Sequence, residues 1–218
     1  MRKVFFLMAI LLVPQFSHAE QQYNAVNSIT IKGIEITQPI TKKQLDFIFQ
    51  NKLEDEKSSY FSECTANYEL RFSGLGYEDG RFEIFPEDNS NLDTSKLNVI
   101  KLRKLPNVKG SLWITIDNTL ISDYKILIDN EGLSPSLTFQ EFERKYPFSA
   151  KLGSHFETEK DVKAFAVLFR GNEDKNVKSS PNVQSLESDG ELHYVSSIVF
   201  LFKNGVLYKI SIFQGIAC

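Results

Sequence analysis

Hydrophobic and polar residues along this chain predict two short amphipathic helices that begin in the same way. Thr41 and Thr138 each precede apolar residues at helical spacing, and Gln44 or Glu141 follows three positions later. This spacing is typical of a capping box. In such a box the Thr hydroxyl accepts from the backbone N–H three residues on, and the Gln or Glu side chain accepts from the Thr backbone N–H. We expect the second helix to end before Pro147, because proline disfavours helical backbone at the preceding residue.

The two helix starts lie 97 positions apart and share further features, which favours an internal duplication. A strand-like run precedes each cap, Ser28–Thr37 in one case and Leu120–Asp129 in the other. Each start also has an apolar residue before the cap and another four positions after it, placed to pack as a hydrophobic staple: Ile40 with Leu45, and Leu137 with Phe142.

Two pairs of apolar runs predict antiparallel strand pairs. Tyr68–Phe72 can pair with Arg81–Phe85 across a loop that contains Asp79-Gly80. Val195–Lys203 and Val206–Phe213 flank Asn204-Gly205, which suits a two-residue type I′ turn. Alternation along this last pair places apolar residues on both faces, which is typical of strands covered on both sides. One face would carry Val199, Leu201, Tyr208 and Ile210, and the other Ile198, Phe200, Phe202 and Leu207.

These elements predict an α+β fold, an antiparallel sheet with two short helices arranged as two similar halves. Further strands are expected at Leu97–Leu102, Ser111–Ile116 and Lys163–Phe169. The polar stretch Pro86–Ser95 would divide a first repeat, residues 20–95, from a second repeat, residues 96–218. A second polar stretch, residues 171–190, is read either as disorder or as a functional loop that orders on binding.

The first nineteen residues have the pattern of a bacterial signal peptide. A cationic start is followed by the apolar run Val4–Val13 and by Ser17-His18-Ala19, so cleavage is expected after Ala19. The apolar run is too short to span a bilayer, and the nearest cysteine is Cys64, so neither a membrane span nor a lipid anchor is expected. These features predict a periplasmic or secreted protein.

Charge and cysteine content bear on partners and stability. The 218 residues carry a formal charge of -3, and loss of Arg2 and Lys3 with the signal peptide would leave -3 - 2 = -5. This acidic balance argues against nucleic acid as a partner. Cys64 and Cys218 are the two thiols, and in an oxidising compartment we expect them to form a disulfide. A reactive Cys64 thiol and an intermolecular bridge are the alternatives.

Chemical motifs are scarce, so we expect neither an enzyme nor a cofactor. His155 and His193 are the histidines left after signal removal, and neither has metal ligands close by in sequence. No nucleophile, zinc or phosphate-loop motif occurs in the sequence. The acidic run Glu87–Asp93 is interpreted as a solvated turn, with calcium binding as an alternative. A hydrolase whose residues meet only in space also stays open.

Aromatic residues supply the candidate binding site. Most of the 18 phenylalanines are read as core, but a sheet face left uncovered would present aromatic side chains to a partner protein. Tyrosine and tryptophan are the usual anchors of such surfaces. The predicted binding residues are therefore Trp113, Tyr68, Tyr194 and Tyr208.

The segment Ser136–Pro147, with a fainter copy at Pro39–Phe49, resembles a known helix start. It is similar to that of small secreted proteins of the beta-lactamase inhibitory protein type and to that of the outer-membrane assembly lipoprotein. The glycine that these families often carry before the cap is replaced by Ser136 and Pro39. The resemblance implies short helices on an antiparallel sheet, sometimes in tandem, and protein binding without catalysis.

These observations together predict a periplasmic, non-enzymatic protein-binding module. Its partner would be a secreted or envelope-targeting enzyme. The protein would act as an inhibitor of this enzyme or as an immunity protein against it. A soluble cell-envelope assembly or maintenance factor and a small periplasmic hydrolase are the alternatives.

Overall fold

The structure is a computed structural model that describes residues 23–49, 57–58, 68–74, 77–84, 104–155, 160–169 and 196–214. Within these ranges the chain has an α+β fold, with most elements being strands in two sheets and a few short helices. The strands, in chain order, are β1 (Ala25–Val26), β2 (Ile29–Ile31), β3 (Ile34–Glu35), β4 (Ile40–Thr41), β5 (Lys57–Ser58), β6 (Tyr68–Gly74), β7 (Tyr77–Ile84), β8 (Lys109–Asp117), β9 (Leu127–Ile128), β10 (Glu131–Gly132), β11 (Ser154–His155), β12 (Val162–Phe169), β13 (Ser197–Lys203) and β14 (Val206–Phe213). The helices are α1 (Lys42–Phe49), α2 (Ile121–Tyr124), α3 (Phe139–Lys145) and α4 (Pro147–Lys151), and the 3-10 turn Asn118–Leu120 precedes α2.

The larger sheet has the strand order β1-β12-β13-β14-β8-β7-β6-β5, with β11 beside β12 and β4 beside β8. Two three-stranded meanders, β6-β7-β8 and β12-β13-β14, therefore meet where β8 pairs with β14. The expectation of an entirely antiparallel sheet is wrong at one edge, because β1 runs parallel to β12. β1 is joined by only two residues, Asn27 and Ser28, to β2, which lies in the second sheet.

The smaller sheet is antiparallel and has the order β10-β9-β2-β3. It consists of two hairpins whose turn residues all have positive φ: 49° at Lys32, 78° at Gly33, 50° at Asp129 and 66° at Asn130. Two consecutive positive φ angles are characteristic of a type I′ turn. The run Ser28–Thr37 is therefore a hairpin, and the prediction of one continuous strand there is wrong.

The predicted strand at Leu120–Asp129 is also wrong over its first half. Ile121 and Tyr124 are both buried and lie three positions apart, which is helical spacing, and they form α2. Lys125 ends this helix in the left-handed region at φ 47°. Ile126 and Ile128 are buried two positions apart, which is strand spacing, and the second of them lies in β9.

Both predicted capping boxes are confirmed. The Gln44 backbone N–H donates to Thr41 Oγ1 at 3.2 Å, and the Thr41 N–H donates to Gln44 Oε1 at 2.8 Å. The same pair of bonds joins Thr138 and Glu141, at 3.3 and 2.8 Å. Helix α3 ends at Lys145, before Pro147, as expected, but Pro147 then begins α4. The described residues therefore contain four short helices where two were predicted.

The predicted strand pairs are confirmed with one correction. Asn204 and Gly205 join β13 to β14 with φ of 52° and 78°, as a type I′ turn requires. β6 pairs with β7, but Gly74 already stands opposite Tyr77, so the predicted turn residues Asp79-Gly80 lie inside β7. The strands predicted at Ser111–Ile116 and Lys163–Phe169 lie within β8 and β12. Residues 97–102 fall outside the described ranges.

Among the described residues, a hydrophobic core lies between the helices and one face of the larger sheet. The Phe142 side chain is fully buried at its centre, with its ring 4.9 Å from that of Phe200 and 5.3 Å from that of Phe202. The core cluster contains residues from α1 and β2 as well as from α3 and β12 to β14, so it spans both predicted repeats. The boundary proposed between these repeats, at residues 95 and 96, lies outside the described residues.

A β-bulge in the last strand changes the predicted faces of the final hairpin. Leu201 pairs with Lys209 and Phe202 pairs with Leu207, so Tyr208 is the extra residue. Directly opposed residues share a face, and Ile210 stands opposite Phe200. Ile210 therefore lies in the core, and its predicted assignment to the other face is wrong.

Candidate functional site

The face of the larger sheet that points away from the core is the candidate site. Side chains alternate along each strand, and residues opposed across strands share a face. Ile114, Ile116, Ile198 and Ile212 belong to the core cluster, so the residues between them point to the other side. We call this side the outer face and define it by Trp113, Thr115, Asp117, Val199, Leu201, Lys209, Ser211 and Phe213.

The outer face is partly open to solvent. Lys209 and Ser211 are buried, and the other six residues are half-buried. None of its apolar residues belongs to the core cluster or packs against it. The described helices cover the core side of the final hairpin, as predicted. On the outer face, the burial of Lys209 and Ser211 shows that this side is partly covered as well.

An aromatic row crosses one end of the outer face. Trp113 stands opposite Phe213, and their rings meet edge to face with centroids 5.1 Å apart. The Arg81 guanidinium lies 5.6 Å from the Trp113 ring centroid, on the neighbouring strand β7. These contacts hold the tryptophan in one orientation and leave part of it accessible, which is the usual state of an aromatic anchor.

The middle and the far end of the outer face are more polar. Thr115 Oγ1 and Ser211 Oγ share a hydrogen bond of 2.8 Å between β8 and β14, and Val199 continues this row on β13. In the next row, Asp117 stands opposite Lys209. From end to end the surface thus changes from aromatic to hydroxyl-bearing to charged over a few strand residues.

A buried glutamine supports the aromatic row. Gln214 is 3% exposed, and its side-chain amide donates to the carbonyl oxygens of Ile36 and Gln38 and accepts from the backbone N–H of Leu112. Its own backbone oxygen accepts from Trp113 Nε1 at 3.1 Å. The residue therefore connects β8 and the end of β14 to the chain segment before α1, and it anchors the indole.

The structure places two of the four predicted binding residues on adjacent strands but not together. Trp113 is on β8, while Tyr208 is the bulge residue of β14. Since Trp113 pairs with Phe213, the two lie roughly 16 Å apart along the strands, at 3.3 Å for each residue. Tyr208 is half-buried, with Lys203 Nζ and Lys209 Nζ 5.2 and 4.8 Å from its ring centroid. The Tyr68 backbone lies in β6, two strands from β8.

Several predicted features fall outside the described residues. They are Tyr194, His193, Cys64, Cys218, the signal peptide at residues 1–19, the acidic run 87–93 and the polar stretch 171–190. The disulfide between Cys64 and Cys218 and the cleavage after Ala19 therefore stay predictions.

Sequence reasoning missed four contributors to the site: Thr115, Ser211, Phe213 and Gln214. The first three reach the outer face through the pairing of β8 with β14, which are about 100 positions apart in the chain. No local pattern indicates that pairing. A polar residue that directly follows an apolar strand was the available signal for Gln214, but it does not distinguish a buried amide from an exposed one.

Two ionisable groups with shifted pKa values lie in or next to α3. Burial raises the pKa of Tyr146, and the negative charges of Asp129 and Glu131 raise it further, so this phenol stays neutral where α3 meets α4. Hydrogen bonds from the Thr138 backbone and hydroxyl lower the pKa of the exposed Glu141 carboxyl.

Comparison with protein-family models, with curated proteins and with solved structures finds no match to this chain. Among the described residues, no helix combines the length and the hydropathy needed to cross a membrane. The same residues contain no group of three or more His, Cys, Asp or Glu side chains placed to hold a metal ion.

Proposed function

We propose that this protein is a periplasmic, non-enzymatic protein-binding module whose outer face contacts a secreted or envelope-targeting enzyme and inhibits or neutralises it. The observation that carries this proposal is the half-buried aromatic row on the central strands, opposite the face that holds the core. A core-backed sheet presents its side chains rigidly, so binding there costs little conformational entropy.

The chemistry of the partner follows from charge. The chain has 28 Asp and Glu against 25 Lys and Arg residues, and loss of the predicted signal peptide would make the balance more acidic. Complementary net charge raises association rates and suppresses wrong partners. The proposed partner is therefore a folded enzyme with a basic surface, which receives the aromatic row in an apolar contact.

We further propose that the chain consists of two similar halves in tandem. The two type I′ turns, at Lys32 and Asp129, lie 97 positions apart, as do the two capped helix starts. In each half a hairpin and a capped helix precede a three-stranded meander. This order is the one expected from the resemblance to the beta-lactamase inhibitory protein type, in which helix-and-sheet units sometimes occur in tandem.

Loss of binding through a single outer-face substitution tests the proposal. Thr115→Arg places a large cation in the centre of the outer face, while Phe47→Arg is the matched control, because Phe47 is 58% exposed on α1. Tagged protein, residues 20–218, would be mixed with oxidised periplasmic and secreted fractions. The proteins retained in stoichiometric amounts would then be assayed for activity in the complex.

The expected result is a basic enzyme that is retained and suppressed by the wild-type protein and by Phe47→Arg, but not by folded Thr115→Arg. Equal retention by both variants would place the contact elsewhere and reject the outer face. Retention of envelope assembly machinery would support the maintenance-factor alternative instead, and hydrolytic activity of the purified protein would support an enzyme.

A further inference from the structure

We propose that residues Asn24–Val26, here called the N-terminal strap, form a latch that opens at a lower free energy than the rest of the core. Opening of the latch would uncap α4 and free the edge of β12 at the same time. This inference does not depend on the proposed function.

Asn24 joins the strap to two separate elements. Its side-chain carbonyl accepts from the backbone N–H groups of Phe148 and Ser149, at 2.9 and 3.1 Å, and so caps the start of α4. Its own N–H donates to Ser149 Oγ at 3.0 Å, and its backbone oxygen accepts from the Leu168 N–H at 3.0 Å. Ser149 is fully buried, and both its backbone N–H and its hydroxyl bind Asn24. Asn24 thus provides hydrogen-bond partners for a buried residue more than 120 positions away in the chain.

The strap lies on the outer edge of β12. Leu168 donates outward to the strap, while the neighbouring Phe169 donates inward to the Ser196 carbonyl at 3.0 Å. The main-chain N–H and C=O groups of successive residues in a strand point alternately to its two sides. Those of Ala164 and Ala166 therefore point outward, as those of Leu168 do. On this outer side of β12, β11 pairs with Ala164 and the strap pairs with Leu168. Ala166 lies between these two described pairings. An open strap would therefore expose the outward main-chain groups of Leu168, next to those of Ala166.

The strap has one core residue and a short strand pairing to hold it closed. Val26 is 1% exposed and belongs to the core cluster, and Tyr23 before the strap is half-buried, but Ala25 is exposed and the pairing with β12 covers two residues. In the core of the sheet, β13 is paired over seven residues on each side, and β14 is paired over seven residues with β13 and five with β8. Segments with few buried side chains and short ladders open locally, at a lower free energy than global unfolding.

Asp129 sets the limit of the opening. Its Oδ1 accepts from the backbone N–H groups of Asn27 and Ser28, at 2.8 and 3.0 Å. Ile29, the next residue, is fully buried in β2. The pivot of the strap is therefore at Asn27 and Ser28, and the chain beyond it stays with the core.

Amide hydrogen exchange resolved by residue tests this latch in the full mature chain. In the wild-type protein we expect Phe148, Ser149 and Leu168 to exchange with one common opening free energy and a weak dependence on denaturant. Phe169 and Ser28 should follow the core. Equal opening free energies for Leu168 and Phe169 would overturn the proposal without the use of any variant.

A substitution adds a second test. Asn24→Ala removes the acceptor of two N–H groups and should speed the exchange of Phe148, Ser149 and Leu168 together, by about tenfold for a typical net loss of hydrogen bonding. Ala25→Ser, in the exposed residue of the strap, should leave all of these rates unchanged. If Asn24→Ala accelerates Phe148 and Ser149 but not Leu168, the asparagine is only a local cap and the latch is rejected.

Discussion

Replacing Gln214 with leucine tests whether the buried amide stabilises the junction of the two meanders. Leucine has a similar volume, so the cavity contribution is small, and the effect reports the lost hydrogen bonds. Gln38 is exposed and its carbonyl can bind water, but the Leu112 N–H and the Ile36 carbonyl stay buried without a partner. At about 1–3 kcal/mol for each such group, the free energy of unfolding should fall by about 3 kcal/mol.

Urea unfolding of residues 20–218 measures this change, followed by circular dichroism and by the fluorescence of the single tryptophan, Trp113. The denaturant slope should not change, because both proteins expose the same surface on unfolding. The native emission should also be retained, since the indole donates to the backbone oxygen of Gln214, which the substitution leaves in place.

Gln140→Leu is the matched control. Gln140 is exposed on α3, so this change should stay within about 0.5 kcal/mol of the wild-type protein. If Gln214→Leu were no more destabilising than Gln140→Leu, the buried amide would not stabilise the junction, and the argument from unsatisfied groups would fail.

Three smaller effects also follow from the structure. Thr138→Ala should lower the free energy of unfolding by about 1 kcal/mol through loss of the helix cap, as read from urea midpoints, and no change would mean that the box is not formed in solution. Because the pKa of Glu141 is lowered in the folded state, this carboxylate stabilises the fold at pH values above its ordinary pKa of 4.5. The stabilisation is lost as the pH falls through the folded-state pKa. Glu141→Gln should therefore flatten the acid limb of the stability profile, and an unchanged limb would contradict this. Gly205→Ala should lower the free energy of unfolding, again read from urea midpoints, by about 1 kcal/mol, because alanine is strained at a φ of 78°. A Cβ at this position meets no neighbouring atom, so a steric clash does not contribute. An unchanged free energy of unfolding would exclude the type I′ turn.

Local signals in the sequence were sufficient for the helix starts and the last hairpin. Thr41, Thr138 and their partners three residues on carry the whole capping interaction within one helical turn. Asn204-Gly205 likewise supplies the positive φ angles of its turn from its own residue types. The spacing of apolar residues failed to predict the helix that begins at Ile121. Helical spacing up to Tyr124 is followed by strand spacing up to Ile128, so neither spacing extends far enough to indicate the element.

The candidate site depended on contacts between distant parts of the chain. The bulge at Tyr208 moves Ile210 into the core, and the pairing of β8 with β14 brings Trp113 to Phe213. The parallel strap and the buried Gln214 also join segments more than 100 positions apart. Helix caps and tight turns can be predicted from the amino-acid sequence because their interacting groups are close neighbours in the chain. The choice of strand partners depends instead on which apolar faces can be buried together, and a single extra residue in one strand is enough to reverse the face that its neighbours present.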